Sequence, residues 1–507
     1  MRLVPTPIGP LPRLPAERTG GIDRRLFEAI VPAPGVSHLL DRLGEPGALA
    51  VTTGQQPGLF TGPLYTIHKA LSAAALARLL QEVWGRPVVP VFWLANDDHD
   101  IVEAATAAWI AADGALRRAV LRERQADAPL TPMYREPLGP EIAPIVDQLE
   151  GDLAAGPDRD AVAGWLRRHY KPDATIASSY SAALAELLAP HGIVCLDASH
   201  RAVKQLAAPL LLRAIHDSEA LDAALRPLSE SLVAGGADPG VALGDGATLV
   251  LLEGKAGRDR LLRDGNGFIT RRGHERFTAA ALSALAASDP ERLSPNVLLR
   301  PVVESQLLPT VAYLAGPGEL RYLALTPPLY ERLDVPRQEP VARWSGVLVE
   351  PRVDRVLDKF DLTLEELLSA PGAAEAKVIR EALPPELARA LERLRQDIER
   401  EYGIILDGAV AIDPTLERPV VGARHGALTG LGEVERRLLQ HLKRRREVEL
   451  QQLARARTAV LPEGKPQERV LTIAPFLARY GRGVLDDIFA SAHRWYARAL
   501  EGCATGS

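Results

Sequence analysis

Residues 48–95 carry an order of elements that leaves little choice of architecture. Ala48-Leu49-Ala50-Val51-Thr52 reads as a short buried strand, and the glycine-punctuated loop Thr53–Gly62 follows it. Pro63 stands where a helix would open, because its missing N–H is no loss in a first turn. Leu64, Ile67, Leu71, Ala74 and Ala75 then recur at helical spacing up to about Trp84, and Gly85-Arg86-Pro87 ends the helix. Val88–Ala95 is almost uninterruptedly apolar, as expected of a strand buried on both faces. Strand, loop, helix and strand make a βαβ unit, and right-handed crossover places both strands in one parallel sheet. Pro90 is the discordant residue, since proline cannot donate to a ladder.

Ile193–Leu196, Thr248–Leu252 and Val311–Leu314 have the same strand character, with amphipathic helices between them, as at Ser181–Leu188 and Val203–Ala214. This alternation predicts a doubly wound α/β core reaching to about residue 370. The pattern then changes. Leu387, Leu391, Leu394, Ile398, Tyr402 and Ile405 form one heptad-like run. Leu431, Val434, Leu438, Leu442, Leu450, Leu453 and Val460 form another, with Arg and Glu dense between them. The segment 408–430, containing Pro and Gly, separates the two runs, which read as a helical hairpin with coiled-coil packing or as surface helices on the core. The expected division is therefore 1–375 for the core with its insertions, 376–462 for the helical hairpin, and 463–507 for a segment packing back on either.

Composition sets limits. A chain of 507 residues allows two to four folding units. A net charge of −5 argues against a protein that coats nucleic acid. Cys195 and Cys503 are the only cysteines, which excludes a disulfide framework or a Cys-rich metal site. Cys195 falls in an apolar strand, as an inert buried thiol would, and Cys503 falls in the tail. No run of about 18 apolar residues offers a membrane span, and Met1–Pro15, broken by prolines, lacks the apolar stretch of a secretory signal. A cytoplasmic protein is the default expectation.

Three constellations carry chemical potential. Gly54, Gly58 and Gly62 follow a strand and open a helix, where backbone can approach a ligand and free N–H groups favour an anion. Gln55 and Gln56 add amides, Thr61 a hydroxyl, and Tyr65, His68 and Lys69 follow one turn into the helix, with Tyr65 and Lys69 on one face. The same glycines would equally serve a tight packing turn. Asn96-Asp97-Asp98-His99-Asp100, with Glu103 beyond, lies at the carboxyl end of a buried strand, where open α/β sheets bind ligands. His99 among the acids could be held protonated, act as a general base or ligate a metal, and the acids could simply cap a helix. No further ligands at zinc spacing accompany it, so no metal residue is assigned. Asn296, Arg300 and the turn Gly316-Pro317-Gly318-Glu319 form the third, fit to hold a carboxylate and an amine or to make a structural ion pair.

Taken together these segments resemble one family, the bacillithiol-biosynthesis cysteine-adding enzymes (BshC). The resemblance rests on Thr53–Lys69, Pro90–Ala95 running into Asp98-His99-Asp100, Ser294-Pro295-Asn296 with Arg300-Pro301, Leu308-Pro309-Thr310 through Ala315–Glu319, and Gly464-Lys465-Pro466-Gln467-Glu468-Arg469. The blocks are in family order and span nearly the whole chain. Asp97 departs from the family pattern, standing a methylene short where Glu is usual, and Asn96 stands where small residues are common.

The resemblance implies a Rossmann-like core related to class I aminoacyl-tRNA synthetases, with insertions and a coiled coil that mediates homodimerisation. It implies an amide-forming ligase that joins L-cysteine to glucosaminyl malate to give bacillithiol. A scaffold of this kind could instead serve another amino acid and amino sugar, or bind without catalysis. Amide formation from a carboxylate is uphill in water, so ATP or a related nucleotide is the expected activator. On this reading the 54–62 loop and Lys69 hold the anionic portion of activator or malate, and His68 and Lys69, a turn and a half into the helix, count among the catalytic residues. Asp98, His99 and Asp100 orient the amine and remove its proton, with Asn96 and Asp97 beside them. Arg300 and Glu319, with Asn296, Gly316 and Gly318, anchor substrate carboxylate and amine. Lys465, Gln467 and Arg469 either close a second nucleotide pocket or tie the tail to the coiled coil. No nucleic acid and no membrane partner is expected.

Overall fold

The computed structural model describes residues 1–7 and 9–504, the side chains of 501–504 excepted, so the Cys503 side chain lies outside the described residues. The chain forms two compact units. Leu3–Val347 joins with residues 466 onward, and Leu348–Lys465 joins with Met1–Arg2. The division thus falls at 347/348 rather than near 375, and the segment after 465 belongs to the core unit. Burial explains this: Val484, Leu485, Ile488, Ala492 and Tyr496 of the helix Gly483–Ala504 are buried, and Tyr496 Oη donates to the Ala342 carbonyl at 2.8 Å.

The larger unit is built on a five-stranded sheet in the spatial order Glu339–Ala342, Thr310–Ala315, Leu49–Gln55, Val88–Leu94, Val194–Asp197, with every neighbouring pair parallel. The chain starts in the middle, winds outward through Val88–Leu94 and Val194–Asp197, then returns to the other side of Leu49–Gln55. The reversal lies between Leu49–Gln55 and Thr310–Ala315, and the crevice beyond the carboxyl ends of such strands is where ligands bind. Pro90 is accommodated because the ladder to Val194–Asp197 begins only at Val91. The crossover helix Leu64–Trp84 is buried along most of its length, sandwiched between the sheet and the helix Gly483–Ala504.

Thr248–Leu252 does not join this sheet. It lies in the strand Ala247–Gly254 of a second, antiparallel sheet ordered Arg276–Phe277, Gly267–Thr270, Gly257–Asp264, Ala247–Gly254, Leu293–Pro295. An apolar run says nothing about strand direction. The direction is set by the short Gly254-to-Gly257 connection, which leaves room only for a hairpin and uses Gly257 at φ +76°. One apolar core joins both sheets: Trp93 and Leu196 from the first meet Leu252 and Leu293 from the second through Val203 and Leu211 of the helix Arg201–His216.

In the smaller unit, the helices Pro385–Ile412 and Glu417–Arg445 form an antiparallel pair, and Glu447–Val460 follows after a break at Arg446. The expected 408–430 separator is mostly helix. Only Asp413–Leu416 turns the chain, with Asp413 Oδ1 accepting from Thr415 N at 2.8 Å. Gly422, Gly426 and Gly430 sit inside the second helix with open space where a Cβ would be. Each weakens the helix by about 1 kcal/mol relative to Ala, a cost the pairing of the two helices offsets. Arg395 and Glu435 bridge them at 2.6 Å.

Candidate active site

The first core strand has a glycine at its next-to-last position for a steric reason. A Cβ on Gly54 would lie 2.8 Å from the Trp93 carbonyl oxygen, so only glycine allows the two strands their approach. Gln55 and Gln56 follow at the sheet's carboxyl edge and line a cavity of about 1120 Å³. The rest of the loop turns inward. Phe60 (φ +53°) and Thr61 (φ +69°) adopt left-handed backbone, Phe60 stacks edge-on against Tyr170 at 4.9 Å, and Thr61 N donates to Tyr170 Oη at 2.9 Å. Gly58, Thr61 and Gly62 are buried and do not line the cavity. The front of the loop faces the cavity, and its back builds the fold.

Tyr65 and Lys69 share the helix face toward the cavity, as the i, i+4 spacing predicts. Lys69, 1% exposed, pairs with Glu319 at 2.7 Å and also reaches the Gly54 carbonyl and, at 3.3 Å, Gln55 Oε1. Burial lowers the Lys69 ammonium from its ordinary value, with Glu319 opposing the shift. Burial pushes the Glu319 carboxyl up, but Lys69 and Arg300 outweigh it and hold the group below the usual carboxylate range. Glu319 also accepts from Gly316 N at 2.8 Å, satisfying the backbone N–H that precedes the helix Pro317–Leu323. Tyr313 Oη donates to Glu319 Oε1 at 2.7 Å and accepts from Arg300 Nη2 at 2.8 Å, while Arg300 Nη1 reaches buried Glu304 at 3.2 Å. Asn296 Oδ1 accepts from Leu298 N and Leu299 N, each at 3.0 Å, and so aims the chain into the helix that opens at Arg300. Gly316, Gly318, Glu319, Asn296 and Arg300 all line the cavity.

His68 points elsewhere. It is fully buried, edge-on to Trp344, with Nδ1 donating to Glu468 Oε2 at 2.9 Å. Burial, with Arg343, lowers the ring's pKa from its ordinary value, with that carboxylate opposing the shift. Glu468 is chelated by Arg343 and receives Ser345 Oγ at 2.8 Å, so the 466–469 segment is pinned beside the helix Leu64–Trp84. Gln467 is buried, Arg469 lines the main cavity, and Lys465 is exposed in the smaller unit. The three are not drawn together, because the turn Gln467–Arg469 sends successive side chains to different environments.

The acidic stretch is likewise divided. Asp97 is buried in an ion pair with Lys204 at 2.6 Å, and Asn96 is buried with Nδ2 donating to Ser181 Oγ at 3.1 Å. Asp100 is exposed and caps Ile101–Ala104, accepting from Val102 N at 3.1 Å and Glu103 N at 3.4 Å. None of these three lines the cavity; Asp98 and His99 do. Asp98 Oδ1 accepts from His99 N at 2.6 Å and Asp100 N at 3.2 Å. Burial and then Arg258 lower the His99 imidazolium, against Asp98 and Asp100.

Four contributors escaped the sequence reading as site residues. Glu103 accepts from Tyr65 Oη at 2.5 Å, and Gln55 Nε2 donates to the same phenol at 3.0 Å. Arg343 packs over the Tyr65 ring at 6.0 Å. Tyr313 ties Arg300 to Glu319, and Arg258 reaches in from the antiparallel sheet. Glu103 had a cue in its nearness to the acidic stretch; the other three reach the site only through tertiary packing. Nine cationic side chains against five carboxylates line the cavity, so its field favours anions. No cluster of three His, Cys, Asp or Glu able to hold a metal ion occurs among the described residues.

The family model of the bacillithiol biosynthesis BshC N-terminal Rossmann-like domain matches residues 27–340, and that of its C-terminal coiled-coil domain matches residues 346–494. The chain belongs to the BshC family. Among its relatives, a protein of Koribacter versatilis is 32% identical over 92% of this chain and 86% of its own length. One of Solibacter usitatus is 32% identical over 88% and 82%, and one of Salinibacter ruber is 30% identical over 89% and 82%. Each bears the name "Putative cysteine ligase BshC". BshC membership places the chain among ligases of bacillithiol biosynthesis, with a Rossmann-like core and a helical C-terminal domain. No helix of the described residues is long and apolar enough to cross a membrane.

Proposed function

We propose that this chain joins the carboxyl of L-cysteine to the amine of glucosaminyl malate, giving bacillithiol. The observation that carries the reading is the convergence of Gly54–Gln56, Asp98-His99, Asn296–Arg300 and Gly316–Glu319 on one cavity rich in cations. Its volume of about 1120 Å³ exceeds the ~300–1,000 Å³ of a typical small-molecule site, which suits a reaction that assembles more than one substrate. Arg300 and the paired Lys69 and Glu319 suit the carboxylates and the amine. Asp98 presents its carboxylate at the rim, where an ammonium must lose a proton before its nitrogen can attack.

A nucleoside triphosphate would supply the activation that amide formation from a free carboxyl requires. The residues present fit one: the Gln56 amide nitrogen is buried without a partner among the described residues, and Arg343 and Arg469 line the same cavity. Homodimerisation belongs to this reading as well, and the cytoplasm as its place of work. On the smaller unit Leu394, Ile404, Ile405, Ile412 and Val434 are exposed along the helical pair, an apolar face that a second copy would cover. Light scattering at micromolar concentration should return a dimer for the native protein and a monomer for Ile404→Glu; a native monomer rejects that part.

The decisive experiment is a thiol profile of a deletion strain together with turnover by the purified protein. Loss of bacillithiol with accumulation of glucosaminyl malate, and amide product from cysteine, glucosaminyl malate and ATP by mass spectrometry, are expected. Unchanged thiols in the deletion strain reject the reading.

A further inference from the structure

His99 reaches the cavity from the turn after the second core strand, and Arg258 reaches it from the antiparallel sheet. Arg258 Nη1 lies 3.3 Å from His99 Nδ1. The guanidinium is held from behind: its Nε donates to Ser294 Oγ at 2.8 Å and its Nη2 to the Pro295 carbonyl at 3.0 Å. A guanidinium has donors only and keeps its proton throughout the accessible pH range. Nδ1 must therefore offer its lone pair, and a neutral ring then carries its hydrogen on Nε2. A ring turned by half a turn would present a C–H to the guanidinium N–H. Nε2 has no protein partner among the described residues and is not among the buried unpartnered atoms, so it opens to the cavity that His99 lines.

The other charges facing this ring come from three places. Asp98 and Asp100 flank it on its own turn, and Arg124 donates to the His99 carbonyl at 2.7 Å. Arg258 meets it from the second sheet. The acids favour a proton on the ring, whereas the two arginines and burial oppose it, and the net shift is toward neutrality.

We infer that His99 serves the site as a neutral Nε2–H hydrogen-bond donor rather than as the base, and that Arg258 is the positioning residue that selects this tautomer. The inference rests on the ligase reading for its chemical meaning, though not for its geometry. In amide formation the amine nitrogen attacks an acyl carbon activated by a phosphate-type leaving group. The C–N bond forms and the carbonyl oxygen gains charge. The C–O bond to the leaving group then breaks with its electron pair. The nitrogen sheds two protons, one from the ammonium to a carboxylate before attack and one after attack to the departing phosphate-type oxygen. An Nε2–H stabilises the charged oxygen, a task fixed donors do well. The first proton falls to Asp98, whose Oδ2 makes no bond among the described residues.

The test has two arms. Histidine ring ¹⁵N spectra of the native protein without substrates, with the His99 signals assigned by their loss in His99→Gln, should show Nδ1 unprotonated and Nε2 protonated. Arg258→Lys, or Ser294→Ala if that variant fails to fold, should raise the Nδ1–H population and shift the ring's titration toward its ordinary range. A native ring with hydrogen on Nδ1 overturns the inference whatever the enzyme's substrates are. In the activity arm, His99→Ala should lose on the order of 10²–10³ in kcat. His99→Gln, whose Nε2 amide hydrogens stand near those of the imidazole Nε2 and whose oxygen can face Arg258, should recover most of that loss. A Gln variant as inactive as the Ala variant means that His99 is the base and the inference is wrong. The expected spectra with no amide product from cysteine and glucosaminyl malate would instead count against the substrate reading alone.

Discussion

Lys69 and Glu319 meet at 2.7 Å, with the Lys69 side chain 1% and the Glu319 side chain 20% exposed. The pair joins the helix after the first core strand to the helix after the fourth, across the point where the winding of the sheet reverses. Taking one partner away leaves a charge stranded in low dielectric, which costs about 3–5 kcal/mol. Lys69→Met should therefore lower unfolding stability by roughly that amount. The double variant Lys69→Met with Glu319→Gln should lose clearly less than the two single losses together. Urea unfolding of the four proteins gives the coupling, and strictly additive losses would contradict a direct pair.

Acid should release the C-terminal segment. Burial raises the Glu468 carboxyl, but the bonds from His68 and Arg343 more than reverse this and hold it below the ordinary carboxylate range. A carboxyl depressed in the folded state contributes stability that is present above its unfolded pKa of about 4.3 and is lost as pH falls below it. His68, lowered by burial, adds to the same trend from about pH 6.5 downward, because the unfolded ring takes its proton first. The urea midpoint of the native protein should fall more steeply below about pH 4.3 than that of Glu468→Gln. Glu468→Gln should itself be less stable at pH 7 by about 3 kcal/mol. Parallel slopes would remove Glu468 as a source of acid sensitivity.

Two adjacent acids should separate function from folding. Asp98 lines the cavity, whereas Asp100 caps a short helix in solvent. Asp98→Asn keeps an oxygen for the His99 and Asp100 N–H groups, so its thermal midpoint should stay near native while kcat falls on the order of 10²–10⁴. Asp100→Ala should cost about 1 kcal/mol of stability and leave kcat within a few-fold. Steady-state kinetics beside thermal melts decide this, and a reversal of the two effects would remove Asp98 from the proposed proton transfer.

Cys195 should be inert. Burial in the strand Val194–Asp197 pushes its thiol up to about 12, so almost no thiolate exists at neutral pH. In a Cys503→Ser background, a maleimide at pH 7.5 should label nothing in the native protein and one thiol after denaturation. Rapid native labelling would show that the strand is open to solvent.

The sheet was legible where one residue run carries its own geometry. Val88–Ala95 is apolar at nearly every position, which suits only a strand covered on both faces, and the glycines ahead of Pro63 mark the turn into a helix. Thr248–Leu252 joins the antiparallel sheet and not the parallel one because strand direction depends on its partner and not on its own hydrophobicity. The 408–430 segment read as a linker because its glycines lower helix propensity, and a neighbouring helix restores what propensity lacks. Within the site, the Tyr65 and Lys69 face followed from helical spacing. The split of Asn96–Asp100 into buried, cavity-lining and capping residues did not, since consecutive residues in an irregular turn point wherever their partners stand.

By itself the sequence determined local geometry: the βαβ unit, the helical pair and the turns that end at the sheet's carboxyl edge. Those follow from backbone sterics and from the period of apolar residues, which act between neighbours in the chain. Which charges survive burial, and facing what, was decided only by the tertiary structure. Lys69 finds Glu319, Glu468 finds Arg343 and His68, and His99 finds Arg258 across separations of more than a hundred residues. The strength and sign of each interaction depend on distance and local dielectric, quantities that exist only once the chain has packed.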